Sequence, residues 1–220
     1  QIAHFEPNEL PTHSEYHIAK VVTLTTQLYD KVVPKELQTS ENALALSISA
    51  IIHDLGSLQK VGEPGPQEKF YKYHELRALE LVDPIVEALQ LTDYVDPTKE
   101  QVLKNKIKVL IASTMPAWNL DFGYGRRITT FIKPGEKTVS EDEFMKDLNF
   151  SDGTEPELTV VGESLFQLFE SLSEPDSLIN QDEILKLSQI MGATDHGAYM
   201  LEPCRIGEVI GLWQELNRIW

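Results

Sequence analysis

Ala43-Leu-Ala-Leu-Ser-Ile-Ser-Ala-Ile-Ile-His-Asp-Leu-Gly56 decides how the rest of the chain is read. Up to Ile52 the run is apolar or small on nearly every side, so a helix from Ser40 to about Asp54 has no solvent face and belongs at the centre of a helical bundle. Ser40 is placed to cap its start, and Gly56 to stop it in a left-handed turn. The run closes on His53-Asp54. A carboxylate leaving a buried helix without a partner costs several kcal/mol, so Asp54 needs a cation, a metal or a set of donors. Taken alone, the dipeptide reads as a helix-end cap; the surrounding residues change that.

Working outward, apolar residues recur at helical spacing almost everywhere and period-2 alternation is nearly absent, which predicts an all-α protein. Helices are expected over about 14–28, 40–54, 70–91, 99–113, 158–172, 178–200 and 206–220. Pro84 either kinks the third of these or opens a new helix capped by Asp83. Between Met115 and Thr159 the periodicity fails, so a loop-rich acidic insertion is expected at about 115–157. Arg127–Ile132 and Thr138-Val139 offer it a short β-hairpin. The whole of 1–220 reads as one helical domain.

The chain has 220 residues, 41% of them hydrophobic, enough for a real core. Its 35 acids against 19 Lys and Arg leave a net charge of -16, which argues against broad nucleic-acid binding and against anionic lipid. Residues 140–183 carry 13 of the acids and one Lys, the pattern of a solvated face or an insertion. A single cysteine, Cys204, excludes an internal disulfide and a zinc knuckle, and fits a reducing compartment. No apolar run approaches a membrane span, so a soluble cytoplasmic protein is expected. Trp213 and Trp220 are read as core or homo-oligomer contacts.

Two further residues join the His53-Asp54 pair. Val21, Leu24 and Leu28 follow His17 at helical offsets, which puts this histidine on the buried stripe of its own helix. Asp195 lies on the stripe of Ile184, Leu187 and Met191, an acid on a core face. Two buried acids and two buried histidines are hard to neutralise pairwise in so acidic a chain. One divalent cation satisfies all four, and a mixed His/Asp set suits a transition metal or Mn better than Ca.

His17-Ile-Ala-Lys-Val-Val, Ala50-Ile-Ile-His-Asp-Leu-Gly56, Tyr73-His-Glu-Leu-Arg-Ala-Leu-Glu-Leu-Val82 and a late helical Asp195 together resemble the HD superfamily of metal-dependent phosphohydrolases. The resemblance covers roughly 11–91 well and 178–200 weakly. It implies an HD-type helical bundle in which His17, His53, Asp54 and Asp195 bind one divalent ion, with Mn, Fe, Zn, Ni, Co and Mg all open. It further implies water activated by that ion attacking the phosphorus of a small phosphorylated substrate, with Asp54 as proton acceptor. His74 is the one spare histidine beside the motif and is assigned a catalytic place.

Departures from the family pattern matter as much. Ser113 and Thr114 stand where binuclear members supply another histidine, which favours a single ion. Ser57 replaces a lysine found after the His-Asp pair, with Lys60 close by as a substrate contact. His13, one helical turn before His17, resembles the leaving-group acid of class I cyclic-nucleotide phosphodiesterases; a surface or capping role stays open beside it. His196, next to Asp195, reads as support or surface. Arg126 and Arg127 read either as a phosphate clamp or as ion pairs with nearby acids. The leading expectation is a hydrolase of a phosphomonoester or phosphodiester such as a nucleotide. The alternatives are a degenerate HD scaffold used for binding or regulation and, below it, an HD-type di-iron oxygenase.

Overall fold

The structure is a computed structural model that describes residues 15–57, 73–89, 100–115, 140–148, 156–174 and 177–198. Among these, all regular secondary structure is helical. The elements in chain order are α1 (Glu15–Val32), α2 (Ser40–Ile52), α3 (His74–Ala88), α4 (Glu100–Ala112), α5 (Glu141–Asp147), α6 (Pro156–Ser173) and α7 (Gln181–Gly197). Short 3-10 turns lie at Lys35–Leu37 and Leu55–Ser57. The expected hairpin and the expected helix over 206–220 lie outside the described residues.

α2 is central, packing against α1, α4 and α7. Its apolar sequence accounts for this: Ala45, Leu46, Ile48, Ala50 and Ile52 are buried, and only Ile51 among its larger apolar side chains is well exposed. The start is capped by Thr39, whose hydroxyl accepts from the Asn42 amide, one residue earlier than the Ser40 cap expected from sequence. α3 packs on α4 and on the Leu55–Ser57 turn, and α6 covers α3 and α4. α3 runs through Pro84 as one helix. Pro84 is exposed there, so the carbonyl it leaves without an amide partner can face water.

Gly56 has a different purpose from the one its position suggests. Its backbone is not left-handed; instead a Cβ there would sit 1.8 Å from the His74 carbonyl oxygen and 2.6 Å from the Ala78 nitrogen. Glycine lets the turn after His53-Asp54 press directly against the first turn of α3, which carries His74.

The acidic stretch is also more structured than its periodicity indicates. α5 falls inside the expected insertion, nucleated by a capping box in which Ser140 and Glu143 satisfy each other's amides. Phe144 is fully buried and makes edge contact with Phe166 of α6 at 5.3 Å between ring centroids. The acids Glu141, Asp142, Glu143, Glu157, Glu163 and Glu170 are exposed, so this part of the acidic run is a solvated face on packed helices.

Candidate metal centre

Three helix ends meet at one point. His17 stands in the first turn of α1, His53 and Asp54 follow the last turn of α2, and Asp195 lies in the last turn of α7. Of the stripe that puts His17 inward, Val21 is fully buried one turn on, while Leu24 and Leu28 are half-buried against the core. Asp195 follows from its own stripe, since Ile184, Leu187 and Met191 are all buried. Thr25 and Thr194 join α1 to α7 by a buried hydroxyl hydrogen bond of 2.9 Å beside the cluster.

One ligand atom each from His17, His53 and Asp195 lies within 4.8 Å of the other two. His17 Nε2 is 3.1 Å from Asp195 Oδ1 and 3.4 Å from Asp54 Oδ2. His53 Nε2 is 3.3 Å from each of the same two oxygens. Ligands bound at about 2.1 Å to one ion are separated by about 3.0 Å at octahedral angles and about 3.4 Å at tetrahedral ones. The nitrogen-oxygen separations fall in that window.

The hydrogen bonding points the same way. His53 Nδ1 lies 3.0 Å from the Ala50 carbonyl, to which it donates, and this leaves Nε2 as the nitrogen that faces the carboxylates and can take either a proton or an ion. Nε2 is fully buried and neither 3.3 Å contact meets hydrogen-bond geometry. A buried nitrogen lacking a hydrogen bond, beside two acids, suits a metal ligand better than a packed core histidine. Burial on its own would lower the His53 pKa, but Asp54 and then Asp195 more than reverse this and raise it to about 9. Without an ion, the site draws a proton in its place.

His74 sits at the rim. Its Nε2 is 3.5 Å from Asp54 Oδ1, the oxygen not turned toward His17 and His53, and its Nδ1 is 3.3 Å from Glu75 Oε2. Side-chain exposure rises from 1% at His53 and 3% at Asp54 to 15% at Asp195 and 16% at His74, so the cluster opens on the side of the last two. Ser57 and Ser113, the two departures noted in the sequence, spend their hydroxyls on the backbone carbonyls of Asp54 and Leu110.

Comparison of the chain with protein-family models, with curated proteins and with solved structures gives no match. What stands is a helical protein with a His/His/Asp group able to hold a metal ion. Of the other candidate residues, His13, Lys60, Arg126 and Arg127 lie outside the described residues. Among the described residues, no helix is long and apolar enough to cross a membrane.

Among the described residues, Glu75 and Lys106 are buried charged groups that the sequence reading does not identify. Glu75 lies against His74, and its position next to that histidine in the sequence is the signal for it. Lys106 looks like a solvent lysine in a lysine-rich helix, yet it shares a helical face with Leu103 and Leu110 and is buried with them; Lys104 is buried as well, paired with Glu87 and Glu100. That periodicity was available and marks Lys106 as a residue that must find acids inside the bundle.

Proposed function

We propose that this chain is a metal-dependent phosphohydrolase of the HD type, acting on a small phosphomonoester or phosphodiester. The observation that carries the reading is the convergence of His17, His53 and Asp195, with Asp54 among them, at a buried point in an apolar bundle. His17 Nε2, His53 Nε2, Asp54 Oδ2 and Asp195 Oδ1 are the atoms that would hold one divalent ion. When bound, such an ion supplies Lewis acidity and a source of hydroxide at neutral pH.

The remaining work falls to the protein. Asp54 presents Oδ1 toward His74 on the more open side, so it can accept a proton there while its other oxygen faces the imidazoles. Glu75, at Nδ1 of His74, orients that ring with Nε2 toward Asp54. The surrounding apolar helices keep bulk water from the acids and so strengthen each of these contacts. Phosphate recognition is assigned to Arg126, Arg127 and Lys60, and protonation of the leaving oxygen to His13, all four on the strength of the sequence.

The test is metal analysis of the purified chain beside a panel of nucleotides, sugar phosphates and phosphodiesters. The expected outcome is one divalent ion per chain and phosphoester cleavage that a chelator abolishes and metal restores. Asp195→Asn should weaken ion binding by at least about 100-fold. A protein that takes up no ion at micromolar metal refutes the proposal. Full occupancy without turnover across the panel replaces it with a binding or regulatory module, and two irons per chain with the di-iron alternative.

A further inference from the structure

The metal cluster has a counterpart at the opposite end of the same helices. Lys106 of α4 is buried, and its ammonium reaches Glu41 Oε1 at 2.7 Å, Asn42 Oδ1 at 2.8 Å and Glu183 Oε1 at 2.7 Å. Those three contacts use all three of its N–H groups. Glu41 and Asn42 stand in the first turn of α2, and Glu183 in the first turn of α7. Twelve residues further along each helix come His53 and Asp195. The two helices thus run side by side in one direction, joined at their starts by Lys106 and at their ends, about 18 Å away at 1.5 Å per residue, by the candidate metal centre.

We infer that Lys106 is a positioning residue for the metal centre. Helical periodicity sets which way Asp195 faces, but not how far α7 is slid along α2. A shift of α7 by part of a turn would carry Asp195 Oδ1 out of reach of both imidazoles. The Lys106 tie fixes that slide, because Glu41 and Glu183 must both reach one buried nitrogen. Without the ammonium, the same two carboxylates face each other in a half-buried space, and repulsion opens the α2–α7 pair at that end. This inference rests on the metal centre of the proposed function.

The sign of the effect separates positioning from plain electrostatics. Removing a positive charge from the bundle makes the field at the cluster more negative and, on Coulomb grounds alone, favours a cation. Loss of position does the reverse.

The experiment measures the Co(II) dissociation constant by chelator competition, with the visible absorption of bound Co(II) as a report on donor geometry. The chelator-stripped parent is compared with Lys106→Met, with Lys108→Met and with the triple variant Lys106→Met/Glu41→Gln/Glu183→Gln. Lys108 pairs only with Asp83 of α3 among the interactions described, at 2.9 Å, and so controls for loss of an ion pair on α4. Lys106→Met should bind Co(II) about tenfold more weakly, with a changed band. The triple variant, with the repulsion removed but the tie still absent, should recover only part of the loss, and Lys108→Met should stay within about threefold of the parent. Unchanged or tighter binding in Lys106→Met, or an equal loss in Lys108→Met, overturns the inference. Should Lys106→Met not fold, Glu183→Ala removes only the α7 side of the tie. Because loss of a negative charge weakens cation binding by itself, the readout there is donor geometry: the Co(II) band should change, and a parental band overturns the inference equally. A parent chain that binds no Co(II) refutes the metal centre itself, whereas a binding parent with insensitive variants refutes only the tie.

Discussion

Raising the pH from 7 to 8 should tighten divalent-ion binding about tenfold, because ion and proton compete for His53 Nε2. The groups facing that nitrogen are His17 from α1, Asp54 beside it and Asp195 from α7, with His74 from α3 across Asp54. Burial would by itself strip His53 of its proton, but the two carboxylates hold its pKa at about 9 in the metal-free protein. An ion binds only the neutral imidazole, so below pH 9 each bound ion must expel close to one proton. At pH 7 that expulsion costs about 3 kcal/mol, at 1.36 kcal/mol per pH unit, and the cost falls as the pH rises. The tenfold step requires only that the metal-free site keep its proton above pH 8. Stability of the metal-free protein moves in the opposite sense. The folded pKa lies above the ordinary value of 6.5, so the proton's contribution, about 3 kcal/mol, is complete below pH 6.5 and is lost as the pH rises through 9. Chelator competition at pH 7 and 8, calorimetry in two buffers of different ionisation enthalpy, and thermal melts with and without metal measure these quantities. A dissociation constant independent of pH over this interval, or a proton count near zero, would refute the reasoning.

Gly56→Ala should destabilise the protein by about 3 kcal/mol, because the new methyl meets the His74 carbonyl, a backbone atom with no rotamer to give way. Urea unfolding measures it, and a change under about 0.5 kcal/mol would show that the turn does not press on α3 as described. Phe144→Ala should cost about 4 kcal/mol through the cavity left beside Phe166 and Phe169, while metal per chain stays at the parental value. A parallel loss of metal would show that α5 and the metal centre are not independent.

Much of the architecture could be read from periodicity because each helix has to choose a face. α2 has almost no polar side, so its burial, and the burial of the His53-Asp54 pair at its end, follow from composition alone. The stripes through His17 and Asp195 identified, for the same reason, a buried histidine and a half-buried acid at the edge of the core. α5 was missed because seven residues are too few for a period to register, and its only local sign was the Ser140–Glu143 capping box. Gly56 was misread because a helix-stopping glycine and a glycine demanded by a neighbouring backbone look identical in one dimension.

Why these four side chains meet is a question about translation, which a sequence does not display. The 3.6-residue repeat specifies rotation of each helix about its axis, so it can say that His17 and Asp195 face inward. It is silent on how far α1 or α7 is displaced along α2, and a donor set for one ion tolerates displacements of well under an ångström. That quantity is set by contacts between residues distant in the chain. The Thr25–Thr194 hydrogen bond ties α1 to α7 near the cluster, and Lys106 ties α2 to α7 at the far end. Both are polar, buried and directional, as register-setting contacts must be, since apolar packing alone permits neighbouring ridges to slip by a turn. The residues that hold the site in place are therefore separate from those that would bind the ion. A substitution at Lys106 should then disturb metal binding from a residue that touches none of the proposed ligands.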